Sequence, residues 1–229
     1  MDGIGDAIRV TACLAAATTL CLVVIATPLA WWLSRRRSLV RDMVTAVIAL
    51  PVVLPPTVLG FYLLVAMGAK SPLMAWLHPF GIRTLAFTFT GLVIGSIVYS
   101  LPFAVQPLKN AFENIGRRPF EVAATLGASP FDRLFSIAIP QARKGFLTAA
   151  LLVFAHTVGE FGVVLMIGGA IPGKTEVVSI RIYDLVEQLD WPGAHLLAGG
   201  LMVFAFAVLL GLLVVDRRLG LKIDGRDHD

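Results

Sequence analysis

Charge is what this sequence has least of. Only 15% of its 229 residues are Asp, Glu, Lys or Arg, where soluble domains carry about a quarter. Hydrophobic residues make up 57%, and mean hydropathy is +0.83. That balance argues against a soluble globular domain. Cysteine is nearly absent: Cys13 and Cys21 share one apolar run. Eight helical positions separate them by about 12 Å, too far for a disulfide, so they read as small packing residues. No Cys/His cluster has zinc spacing, and neither a catalytic constellation nor a metal site is expected. The excess of 19 Lys and Arg over 15 Asp and Glu points, in so greasy a chain, to membrane orientation rather than nucleic-acid binding.

What is present is apolar length. Five runs, Val10–Leu33, Val44–Met67, Leu85–Val105, Phe146–Ile167 and His195–Val215, can each cross a hydrocarbon core about 30 Å thick. The first exceeds a signal-peptide core and has no basic segment before it, so it is expected to stay in the mature chain. Lys and Arg are unevenly shared between the connections. Arg35, Arg36, Arg37 and Arg41 follow the first run. Lys109, Arg117, Arg118, Arg133, Arg143 and Lys144 follow the third, and Arg217, Arg218, Lys222 and Arg226 follow the last. Those fourteen face five elsewhere: Arg9, Lys70, Arg83, Lys174 and Arg181. The runs and the positive-inside rule together predict an all-α, multi-pass membrane protein with its N-terminus outside and its C-terminus cytoplasmic.

Proline interrupts the runs: Pro28 in the first, Pro51, Pro55 and Pro56 in the second, Pro102 in the third. Each removes a backbone donor and kinks a helix, and freed carbonyls in lipid need protein or water partners. Leu50 to Pro56 therefore predicts a broken or strongly bent helix, facing either a cavity or a packing partner. Gly91 and Gly95, four apart, read as ordinary close packing.

The connection from Gln106 to Lys144 is too polar to span and too patterned for a loose loop. Pro119 opens a short helix over Phe120–Leu126, and Gly127 suits its left-handed end. Ser129 as N-cap, Pro130 at the first turn and Asp132 near the positive end start a second helix. That helix is expected to stop before Pro140. Phe131, Leu134 and Phe135 add apolar area, with Glu121, Asp132 and Arg133 at the rim. Two readings stand: a docking knob for a cytoplasmic partner, or a helix pair lying on the headgroups.

Glu121-Val-Ala-Ala-Thr-Leu-Gly127, followed by Ile137-Ala-Ile-Pro140, resembles the EAA pattern of ABC-importer permease subunits. Glu121, Ala123, Gly127, Ile137 and Pro140 fall in place, while Val122 and Ile139 are apolar replacements. The resemblance implies the type I importer permease fold. It also implies a coupling helix seated in a separate ATP-binding subunit, with Glu121, Ala124, Gly127, Ala128, Ser129 and Phe131 contacting it or shaping the turn. Leu50–Gly60 with Met67-Gly68, Val158-Gly-Glu-Phe-Gly162, and Ile171–Thr175 continuing to Leu189 are similar to molybdate permeases; sulfate/thiosulfate and tungstate permeases share much of this pattern. Some members carry a further N-terminal span with no counterpart here. The implied assembly is two copies of a single permease domain (residues 1–229), two ATP-binding subunits that hold the ATP and magnesium, and an extracytoplasmic oxyanion-binding protein that supplies most of the selectivity. No cofactor is expected in this chain.

Gly168-Gly-Ala-Ile-Pro-Gly-Lys-Thr175 satisfies the spacing of a phosphate-binding P-loop. A P-loop needs a strand before it and a helix start behind it. Here an apolar run precedes it, Pro172 deletes a donor, and the charge count places it outside. An outer turn is the expectation, with Lys174 and Arg181 guiding an anion or a binding protein.

Glu160 lies in the fourth run, where a carboxylate at the bilayer centre costs roughly 2.5–3.5 kcal/mol. It should face protein or water, with His156 on the same helical face. It is expected either near the translocation pathway or as an interhelical anchor. Direct binding of a dianion by Glu160 is opposed by like charge. Pathway or gate candidates are Pro55, Pro56, Thr57, Ser100, His156, Thr157 and Glu160, with Ser96 a further hydroxyl donor. Ile182, Leu185, Val186 and Leu189 predict a short amphipathic helix over the outer mouth.

Two other classes compete. A secondary transporter or channel predicts inverted repeats, which are not evident, and more coupling charges than Glu160. A membrane anchor for an enzyme leaves the broken second run and Glu160 without a role. His78, His156 and His195 fall near different runs and His228 in the tail, so no haem-anchoring pair forms.

Overall fold

The computed structural model describes residues 2–35 and 38–220, and within them every regular element is a helix. Arg36, Arg37, Lys222 and Arg226 of the charge count, and His228, lie outside the described residues. Three helices are long and apolar enough to span a membrane unaided. They are α1 (Asp2–Ser34), α5 (Phe89–Asn114) and most of α12 (Trp191–Gly220).

The second run divides into α2 (Leu39–Val53) and α3 (Pro56–Met67), which meet at 110°. Proline disfavours the helical region for the residue before it. Leu54 precedes Pro55, and Pro55 precedes Pro56; both are accordingly extended, with ψ of 139° and 134°. After α3 the chain makes the short α4 (Pro72–Leu77) before α5.

The polar connection gives α6 (Arg118–Thr125) and α7 (Pro130–Arg133). The expected stop before Pro140 is corrected. The helix widens into a π-turn over Leu134–Ala138 and passes through Pro140 as α8 (Ile139–Gln141). The widened turn lets the Ile139 N–H reach back to Leu134 O. This re-routes the hydrogen bonds around the donor that Pro140 lacks. The chain then bends by 73° into α9 (Arg143–Val158).

The fourth run is not one straight span either. It breaks at Gly159–Phe161 and resumes as α10 (Gly162–Gly168). A turn leads to α11 (Val178–Glu187), the expected amphipathic helix. Leu185 is buried, but Leu189 lies past its end and is exposed.

α1, α5 and α9 form the centre, and small residues let them close up. Ala26, Ala30, Ala104 and Ala149 are fully buried beside Leu22, Leu108 and Val153. α3 packs on α10 through two glycines: a Cβ at Gly60 would stand 2.8 Å from Met166 Cβ, and one at Gly162 would stand 2.8 Å from Pro56 Cβ. The breaks of the second and fourth runs therefore meet in space. Gly91 and Gly95 serve packing within the chain, against Leu85 O and Ile167 respectively. α12 lies outside this bundle, touching α9 and α11 and leaving Met202, Val203, Phe206 and Leu213 exposed, as expected of a lipid-facing helix.

Candidate functional site: a coupling elbow and a cleft between broken helices

The elbow is built as its sequence dictates. Pro119 sits in the first turn of α6, where its missing N–H costs nothing. Gly127 closes the helix at φ +81°, with its N–H on Ala124 O and the Ala128 N–H on Ala123 O, a left-handed turn that favours glycine. Ser129 and Asp132 then form a reciprocal capping box. The Ser129 hydroxyl donates to the Asp132 carboxylate at 2.7 Å, and its backbone N–H donates as well. These two donors hold that carboxyl below its usual range. The box thus contributes stability above the ordinary aspartate pKa and loses it as the pH falls through the lowered one.

Glu121, Ala124, Gly127, Ser129 and Phe131 are exposed and Ala128 half-buried. Leu126 and Phe131 are 83% and 73% exposed, and the Phe131 and Phe135 rings stack at 6.1 Å. An ordered turn that presents two aromatic rings and a leucine to its surroundings has the character of a docking surface. Sequence reasoning missed what anchors it. Phe120 is buried edge-on against Trp31 of α1, ring centroids 5.1 Å apart, and the Arg35 guanidinium lies 3.6 Å from the Trp31 centroid and 4.4 Å from that of Phe120. An apolar residue directly after Pro119, on the inner side of an amphipathic turn, was the available signal. Phe120→Ala is expected to cost about 3 kcal/mol of local packing. It should loosen the elbow while leaving α1 helical; protease sensitivity of the elbow is the measurement.

The second feature is a cleft of about 570 Å³ where the two broken runs meet. Pro56, Thr57, Tyr99, His156, Glu160 and Gly162 are among its lining. Four of the sequence-predicted pathway residues, Pro56, Thr57, His156 and Glu160, are brought together here, with Pro55 exposed beside them at the break. Ser100 and Thr157 are buried and are not part of the cleft's lining. The Ser100 hydroxyl is 2.9 Å from His156 Nδ1 and 3.4 Å from Thr157 Oγ1. The His156 ring stacks on Phe103, centroids 4.1 Å apart, and meets Tyr99 at a tilt, 4.8 Å away. Glu160 is 3% exposed; Ser96 donates to its Oε2 at 2.8 Å, and Ser179 of α11 donates to its backbone carbonyl. Among the described residues its Oε1 has no hydrogen-bond partner. One residue at a helix break thus ties α5 and α11 together.

A further cleft, of about 870 Å³, runs between α2, α5 and α9. Gln106, Asn110 and Asn114 stand on it at helical spacing along α5, opposite Gln141, Lys144 and Thr148. The lining thus offers neutral amide donors beside one ammonium group. Amides recurring every fourth residue at the end of an apolar run were the legible but overlooked signal.

The P-loop look-alike is a closed turn. The N–H groups of Lys174, Thr175 and Glu176 all donate to Ile171 O, and the buried Thr175 hydroxyl donates to Gly168 O. α10 precedes it, and α11 begins only at Val178. The donors that would cradle a phosphate are committed to the loop itself. Beside it, the Glu176 carboxyl is buried against Arg181 at 3.4 Å. Burial raises its pKa and the Arg181 charge partly offsets that. The Val178 N–H donates to Thr11 Oγ1 and so ties α11 to α1.

Residues 14–220 match the family of binding-protein-dependent transport system inner membrane components. The chain is 59% identical over 206 residues to the molybdenum transport system permease protein ModB of Azotobacter vinelandii, covering 90% of this chain and 91% of that one. It is 32% identical over 191 residues to ModB of Escherichia coli K12, covering 83% and 82%. To the sulfate transport system permease protein CysT of the same organism it is 29% identical, over 86% of this chain and 71% of that one. The crystal structure of a bacterial alginate ABC transporter, in complex with an alginate pentasaccharide-bound periplasmic protein, superposes with a TM-score of 0.73 at 17% identity. It covers 93% of this chain and 78% of that one, a likeness of fold.

Proposed function

The chain belongs to the binding-protein-dependent transport system inner membrane component family, and on that premise we propose that it is the permease subunit that carries molybdate across the cytoplasmic membrane. It is a multi-pass transport component rather than an enzyme. It works as one domain over residues 1–229, with its N-terminus outside and its C-terminus cytoplasmic. Two copies enclose the pathway, because one copy's spans make a poor conduit and two-fold pairing is the commonest assembly. Two ATP-binding subunits hold the ATP and magnesium and grip one elbow each. An extracytoplasmic binding protein delivers the oxyanion.

The observation that carries this reading is the elbow: ordered, anchored through Phe120, and presenting Leu126 and Phe131 outward. Closure of the ATP-binding pair pulls on it, and the bundle rocks as rigid bodies between inward- and outward-facing states. The anion meets neutral donors at the helix breaks, such as Thr57, and then the amide row Gln106, Asn110 and Asn114 with Lys144. Glu160 positions the break and does not touch the dianion, which its charge would repel.

Uptake by the reconstituted assembly tests this. Labelled molybdate should enter vesicles only with ATP, the ATP-binding subunit and the binding protein present. A tenfold excess of sulfate should compete weakly. ATP-independent flux through this chain alone would overturn the reading in favour of a secondary transporter. A preference for sulfate or tungstate would move the substrate while keeping the mechanism. Asn110→Asp, which adds a like charge to the exit row, is expected to slow uptake roughly tenfold; Asn110→Gln should change it little.

A further inference from the structure

A charged cavity lies where α1 gives way to α2, beside the Trp31–Phe120 anchor of the elbow. It measures about 450 Å³ and is bounded by the end of α1, the start of α2, the last turns of α5 and the start of α6. Its charged lining is Arg35, Arg41, Lys109 and Arg117 against Asp42 and Glu113, a surplus of cations. Lys109 and Glu113 pair only loosely, at 3.9 Å. Arg35 lies over the Trp31 ring and Arg41 over Trp32, with the guanidinium carbons 3.6 and 4.9 Å from the centroids. Stacking engages the face of the Arg35 guanidinium and leaves its donors directed along the plane, the geometry that suits a phosphate oxygen.

The same two helices carry a second hollow of a different character. A groove of about 440 Å³ is lined wholly by Leu29, Val40, Met43, Val44, Val47 and Ile48. α2 divides its residues between the two: Arg41, Asp42 and Thr45 face the charged cavity, and Val40, Met43, Val44 and Val47 face the groove. Val40, Met43 and Val47 are each more than 60% exposed.

We propose that this α1–α2 junction is a binding site for an anionic phospholipid, with the phosphate among Arg35, Arg41, Lys109 and Arg117 and an acyl chain along the groove. A basic pocket between helices at the edge of a membrane recognises such headgroups by charge. The groove supplies what a free phosphate could not use. A zwitterionic lipid would gain less, because its own cation meets the surplus of arginine and lysine.

The test uses the full-length chain in detergent, titrated with dioleoyl-phosphatidylglycerol or dioleoyl-phosphatidylcholine and read by native mass spectrometry. Phosphatidylglycerol should be retained roughly tenfold more tightly than phosphatidylcholine. Thr45→Glu, which adds a carboxylate and removes no cation, and the pair Arg41→Gln with Lys109→Gln should each remove most of that preference without altering phosphatidylcholine binding. Val47→Gln should weaken phosphatidylglycerol and leave binding of inorganic phosphate unchanged. Equal retention of the two lipids would overturn the proposal, as would an undiminished preference in both charge variants. Displacement of phosphatidylglycerol by millimolar inorganic phosphate, with Val47→Gln silent, would assign the cavity to the soluble ion and equally overturn it.

Discussion

Replacing Gly127 by arginine is expected to abolish ATP-driven uptake while the protein still inserts and its spans still pack. Two physical effects act together. Gly127 has φ of +81°, a conformation that costs a residue with a Cβ roughly 1–2 kcal/mol. It also sits, exposed, between Leu126 and Ser129 at the crest of the surface proposed to enter the ATP-binding subunit, so a long cation there blocks close approach. Nothing lies within 4 Å of the position a Cβ would take, so the chain's own core is not disturbed. Gly127→Ala separates the effects: it keeps the backbone strain but adds little bulk, and should lower uptake only several-fold. The two variants are compared by labelled oxyanion uptake, by recovery of the ATP-binding subunit on purification, and by a crosslink from a cysteine at Ser129. Full uptake in Gly127→Arg, or undiminished capture of that subunit, would remove the elbow from the mechanism.

Local chemistry made the elbow legible in advance. Pro119, Gly127, Ser129, Pro130 and Asp132 each act over three or four residues, so order in the sequence is nearly order in space. The same holds for the break at Leu54–Pro56, where two prolines force two extended residues. The path through Pro140 was not legible, because a π-turn shares its loss among five residues and a single-site rule predicts a stop. Nor was the break at Gly159–Phe161: it contains no proline, and its geometry depends on Ser96, Ser179 and Pro56, which lie far off in the sequence. The anchoring of Phe120 on Trp31 and the gathering of Thr57, His156 and Glu160 around one cleft are likewise tertiary events. Composition and periodicity say that such residues need partners; only the fold says which ones they find.

The widest separation between two conservative substitutions is expected at Glu160. Its side chain is a hub: Oε2 accepts from Ser96, itself fully buried, and the residue's own carbonyl accepts from Ser179. Glu160→Gln keeps an amide oxygen for Ser96 and nearly the same shape, so uptake should stay within about threefold of the native level, as expected where a buried hydrogen bond is kept and only its acceptor changes. Glu160→Ala removes the acceptor, leaves the Ser96 hydroxyl orphaned, and opens a hole at the junction of α5, α9 and α10. An orphaned buried donor costs about 1–3 kcal/mol, and the hole adds to that. A conformational equilibrium displaced by 2–3 kcal/mol changes its populations by roughly 30- to 150-fold, which is the fall in uptake expected for the alanine variant. Assembly with the ATP-binding subunit should survive, since the elbow lies on another segment, and recovery of the complex on purification checks this. Ser96→Ala probes the same bond from its other end: in the Glu160→Ala background, where the acceptor is already gone, it should lower uptake little further, whereas two unrelated contributions would sum. If Glu160→Gln instead proved as inactive as Glu160→Ala, the carboxylate's charge, and not its place in the hydrogen-bonded junction, would be what the transport cycle requires.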